Sequence, residues 1–109
     1  MTEMHDPSIE DLLAAARADF ASRLPARAAE VQALVADGAW DEARRAVHKL
    51  RGSAATYGFA GLGAAVAALE DLLLAAAATV GIPRPVDARI AEKVREVRAE
   101  ADRAGQEQA

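Results

Sequence analysis

The chain has 109 residues, a formal net charge of −4 and no cysteine. That length builds one domain around a single core, and the acidic balance is wrong for a general nucleic-acid binder, which needs a basic surface to displace counterions. The missing thiols exclude disulfides and thiolate metal sites, and the wealth of alanine with only 4% aromatic residues points to an all-α protein.

Residues 1–7 read as a flexible polar lead. Met1-Thr2-Glu3 is not the basic-then-apolar start of a signal peptide, and His5 within the lead has no evident role. Ser8 is a candidate N-cap with Asp11 at the capping-box position, and Ile9, Leu12, Leu13, Ala16 and Phe20 mark one face of a short first helix. Pro25 is expected to break or kink the chain. A second segment then carries Leu24, Ala28, Val31, Leu34 and Val35 and stops at Asp37-Gly38.

The next helix bears Trp40, Ala43, Val47, Leu50, Ala54 and Tyr57 on one stripe. Its start is open among Asp37, Gly38 and Asp41, and Gly58 closes it. Leu62, Val66, Leu69, Leu73, Ala76 and Val80 then alternate by fours and threes, the seam of an antiparallel bundle. Gly81-Ile82-Pro83-Arg84-Pro85 is a break. Asp87 is expected to cap a last helix with Ile90, Val94, Val97 and Ala101 inside, and the chain from Gly105 reads as a frayed polar tail.

The predicted fold is an all-α, antiparallel up-and-down four-helix bundle over residues 8–104, with an additional short N-terminal helix and a flexible tail over 105–109. The 18 uncharged residues from Gly52 to Leu69 contain four glycines together with Ser53, Thr56 and Tyr57, which speaks against a membrane span. A soluble, cytoplasmic protein is expected. No strip that would pair two copies stands out, so a monomer is expected as well.

His48 is the residue the stripe does not absorb. At ~100° per residue it lies ~140° from the centre of the Ala43–Tyr57 stripe and faces solvent. Arg44, Arg45, Arg51 and Gly52, three and four residues away, share its side. From Arg44 to Arg51 there are four basic residues and no acidic one, a local patch suited to a specific anionic partner.

Such a histidine can be a metal ligand, a general base, a phosphoryl acceptor or a plain surface residue. A metal would meet arginines and no second ligand, and general base work would need an orienting carboxylate that the local sequence does not supply. Phosphoryl transfer fits the neighbours better. Neutral imidazole is a nucleophile near pH 7, and guanidinium groups at i+3 and i−4 can steady a dianion. Gly52 leaves the approach open although a mid-helix glycine costs about 1 kcal/mol relative to alanine. Ala55 keeps the same surface low.

His48-Lys49-Leu50-Arg51-Gly52-Ser53-Ala54, followed by Gly58, Leu62 and the Leu69-Glu70 pair, resembles the signature of histidine-containing phosphotransfer (HPt) domains. That signature reads His-x-Leu-Lys-Gly-Ser/Ala-Ser/Ala, then a glycine ten residues after the histidine (here Gly58), then a Leu-Glu pair on the next helix. The match is close over residues 40–74, and the flanking helices, with the Leu24-Pro25 step, are compatible with the family's layout.

The resemblance implies that His48 accepts a phosphoryl group from the aspartate of one receiver domain and passes it to another. Partners would be the receiver domains of response regulators and of hybrid histidine kinases. Arg51, in place of the family's lysine, would stabilise the phosphoryl group with Arg44, and Gly52 would give access. Lys49 points ~100° away and would meet the partner, on a surface shared with Arg45 and Ala55. Glu70 would frame or hydrogen-bond the His48 region, with Gly58 in support.

The domain would have no kinase activity and no cofactor of its own, because magnesium and the acidic pocket belong to the receiver. With no kinase or receiver segment in the sequence, it would act as a stand-alone carrier. Besides Arg51, the departures from the family pattern are Ala39 and Ala43, where an aspartate cap and a leucine are frequent. The competing reading is a phosphorylation-independent adaptor or kinase inhibitor on the same bundle. A bundle enzyme or metal protein lacks the inward carboxylates or Glu-x-x-His pairs such sites use.

Overall fold

The computed structural model describes residues 8–78 and 84–107, and every element among them is an α-helix: α1 (Ile9–Ala36), α2 (Trp40–Tyr57), α3 (Ala60–Ala77) and α4 (Arg84–Glu107). The polar lead with His5, Val80, the Gly81–Pro83 break and the last two residues lie outside the described residues. Each helix packs on its chain neighbours, and α4 closes back onto α1, so the four form a ring without diagonal contacts. The short connections after α1 and α2 make those neighbours antiparallel.

The expected additional N-terminal helix is not separate. Both segments are one helix of 28 residues, with Pro25 inside it. Proline removes a single backbone donor, and here its own side chain is exposed while Ala21, Leu24 and Ala28 on either side are buried. Packing on both flanks holds the helix through the local defect. At its start the capping box forms: Ser8 Oγ accepts from the Asp11 N–H at 3.1 Å, and the Ser8 N–H donates to Asp11 Oδ2 at 3.2 Å.

The first turns of α1 overhang the bundle. Phe20 is buried, but Ile9, Leu12 and Leu13, which share its expected face, are exposed. The far end of α4 also departs from expectation, since it runs through Gly105 to Glu107 and has no frayed tail within the described residues. Ala101 and Ala104 are buried, and Gly105 packs beside the Ala21 carbonyl of α1. Helix α4 begins at Arg84, so Asp87, expected as its cap, lies within the first turn.

Two glycine turns set the register of α2. After α1, Gly38 takes φ 71°, its N–H donates to the Val35 carbonyl, and the Ala39 N–H donates to that of Leu34. After α2, Gly58 takes φ 76°, its N–H donates to the Ala55 carbonyl, and the Phe59 N–H donates to that of Ala54. Both are Schellman turns, which need a left-handed residue that only glycine adopts without strain.

The core is the sum of four stripes. Val47, Leu50, Leu62, Val66, Leu69, Leu73, Ile90 and Val97 are each at most 2% exposed, and deleting one such leucine costs about 2–5 kcal/mol. Helix α3 is long and apolar enough to cross a membrane by length and composition, yet its seam residues are the bundle's own core. At the overhang end, the Phe20 ring stacks on Tyr57 at 5.1 Å and the Arg17 guanidinium lies 4.3 Å above Phe59.

Candidate phosphoacceptor site

The α2 stripe of Ala43, Val47, Leu50 and Ala54 is buried and fixes which way the rest of the helix faces. His48 therefore projects outward, with its side chain 71% exposed. The close approach of α3 decides what meets it. Gly63 on α3 faces Ala54 of α2 at ordinary packing distance, an added Cβ lying 3.8 Å from the Ala54 Cβ, and the packing of α3 on α2 brings the edge of α3 beside the ring.

That edge carries Glu70, the one charged residue in the core among the described residues, at 5% exposure. Its two oxygens are divided between two α2 side chains. Oε2 lies 2.7 Å from His48 Nδ1, and Oε1 accepts from Arg51 Nη1 at 2.9 Å. Burial alone would raise the Glu70 pKa, but hydrogen bonds from Arg51 and His48 and their charges outweigh it, so the carboxyl is held below its usual value. An ionised carboxylate only accepts, so the proton of the bond sits on Nδ1. Nε2 takes no part in that bond.

The four cations of α2 divide between its two sides. Arg51 is on the α3 side, held to Glu70 with half of its side chain exposed, so further donors of its guanidinium fork remain beside the ring. Arg44, also expected at the phosphoryl group, rests in a 3.3 Å pair with Asp41, one turn towards the N-terminus, and Arg45 meets the same Asp41 at 2.9 Å. Exposed pairs of this kind contribute about 0–1 kcal/mol and do not lock Arg44 in place. Asp41 was legible from its i+3 and i+4 spacing to the two arginines.

Arg45 and Lys49 line a groove of about 600 Å³ between α1 and α2, floored by Val31, Leu34 and Leu50. They share the accessible surface with His48 but face away from Glu70. An added Cβ on Gly52 would meet nothing within 4 Å, so the space beside the ring is open. Ala55 is exposed on the same helix, while Gly58 acts at a distance by terminating α2.

A protein-family model, the Hpt domain, matches residues 10–107. The chain belongs to the Hpt family. Hpt domains are phosphocarriers of phosphorelays, exchange phosphoryl groups with receiver domains and are not kinases. The match takes in all four helices and the whole of the site, so the Hpt domain here is nearly the entire chain. No curated protein and no solved structure matches it significantly.

Proposed function

We propose that this Hpt domain carries its phosphoryl group on Nε2 of His48, accepting it from the aspartyl phosphate of one receiver domain and delivering it to another. The observation that carries the reading is the 2.7 Å contact between His48 Nδ1 and a buried carboxylate, which orients the ring and leaves a single free nucleophilic nitrogen.

In the forward step the Nε2 lone pair attacks phosphorus. The Nε2–P bond forms as the P–O bond to the aspartate breaks, and the departing carboxylate keeps the electron pair. The ring becomes an imidazolium whose remaining N–H points at Glu70, which offsets the new positive charge. In the reverse step the ring leaves as neutral imidazole, its proton still on Nδ1. Arg51 is close enough to meet the incoming anion while staying tied to Glu70, and Arg44 reaches it by leaving Asp41.

The receiver supplies the magnesium ion and the acidic pocket. The domain works as a cytoplasmic monomer, and its partners are the receivers of hybrid kinases and response regulators. The contact is small and transient, near or below ~1,200 Å².

The test is transfer from a phosphorylated receiver. Label on the wild-type protein is expected to be acid-labile and alkali-stable, and His48→Gln is expected to take up none. Label on His48→Gln would refute the acceptor assignment. Receiver binding without any label on the wild type would establish the phosphorylation-independent adaptor instead.

A further inference from the structure

The face around His48 is uneven. Towards the Gly58 turn it is low, with Gly52 and Ala55 exposed on α2. Towards the opposite end it carries one large apolar side chain, Leu74, which is 48% exposed. Leu74 follows Glu70 by four residues and so lies on the same side of α3, one turn on. Because α2 and α3 are antiparallel, Arg44, four residues before His48, is displaced towards that same end.

The exposure of Leu74 follows from the seam. In the run Leu72-Leu73-Leu74, Leu73 is fully buried, Leu72 packs partly against the core, and Leu74 falls off the stripe. The other exposed large hydrophobics among the described residues are Ile9, Leu12 and Leu13, on the overhang of α1 at the other end of the bundle. A lone exposed leucine is ordinary. This one stands a single turn from the phosphoacceptor's carboxylate, towards the end of the face at which Arg44 lies.

We propose that Leu74 is the anchor by which a receiver domain is held and selected: it enters an apolar recess on the receiver, with an acidic rim opposite Arg44, while the low side admits the receiver's catalytic loops over His48. The proposal rests on the phosphotransfer reading of His48. A residue of this kind acts on binding and leaves the chemistry at Nε2 alone, since the hydrogen bonds that hold the ring run between Glu70, His48 and Arg51.

The experiment compares the wild type, Leu74→Ala and Leu74→Met with a phosphorylated receiver that labels the wild type. Phosphoramidate, a small chemical donor that needs no docking, is used in parallel. Leu74→Ala is expected to raise KM for the receiver about five- to tenfold with kcat little changed. Leu74→Met should restore most of the loss, and both variants should be labelled by phosphoramidate at the wild-type rate.

Equal KM for the wild type and Leu74→Ala, with normal transfer by the wild type, overturns the assignment of Leu74 alone. Slower labelling of Leu74→Ala by phosphoramidate overturns it too, because the residue would then act on the ring. A wild type that takes no label from any receiver overturns it together with the reading of His48.

Discussion

The two sides of α2 carry similar cations and end in different surroundings. On the α3 side, His48 and Arg51 share one buried carboxylate, and the ring's orientation follows from that contact. On the α1 side, Arg45 and Lys49 rim an open groove, and Arg45 is drawn to the exposed Asp41. The difference is made by the partner helix. A cation beside a buried acceptor is positioned for chemistry, whereas a cation over a solvated groove contributes field and contact. Charge on the helix alone does not separate the two.

Breaking the acceptor should have the largest effect. Glu70→Gln keeps the shape but offers a weaker, ambiguous partner to Nδ1, and transfer rates should fall about 10- to 100-fold, the range for losing charge-assisted hydrogen bonds. Stopped-flow or rapid-quench transfer from a phosphoreceiver reads this directly.

Next, Arg51→Ala should slow transfer about tenfold, while Lys49→Ala on the other side changes it less than about threefold. Equal losses would erase the distinction between the two sides.

A smaller effect sharpens the role of open space. Gly52→Ala adds a methyl group where nothing stands within 4 Å, so it should stabilise the fold by about 0.5–1 kcal/mol in urea denaturation. It should also lower transfer several-fold by obstructing the partner. A stabilised variant with undiminished transfer would remove Gly52 from the access route.

The smallest expected effect is on stability at low pH. Glu70's folded pKa is lowered from 4.5, so its pairs stabilise the fold fully above that value and are lost as pH falls through the lowered one. Wherever Glu70→Gln is less stable than the wild type at neutral pH, the gap should narrow below about pH 4.5.

The exposure of His48 was legible from sequence because Val47 and Leu50 define the buried stripe and the helical period does the rest. Its contact with Glu70 was expected only from the resemblance to the family; the helical period does not give it, since it depends on the register between α2 and α3. That register is set by the Gly58 turn and by the packing of α3 on α2, neither of which a helical wheel contains. Leu74 was hidden inside a run of three leucines, where periodicity marks the buried one and is silent on what the exposed one faces.

The reading of α1 failed at two places for two reasons. Pro25 carries a strong local signal that packing at Ala21, Leu24 and Ala28 overrides. Ile9, Leu12 and Leu13 have core spacing, but periodicity does not say where the bundle ends. Helix α1 has 28 residues and α2 has 18, and at ~1.5 Å per residue the excess projects about 15 Å.

The central claim is that Glu70 holds Nδ1 and thereby assigns the phosphoryl group to Nε2. The most direct measurement is a long-range proton–nitrogen NMR spectrum of the ¹⁵N-labelled His48 ring before and after phosphorylation. The account predicts a proton on Nδ1 in both states and phosphorus on Nε2 in the second. Phosphorus on Nδ1, or a resting ring protonated on Nε2 alone, would contradict it.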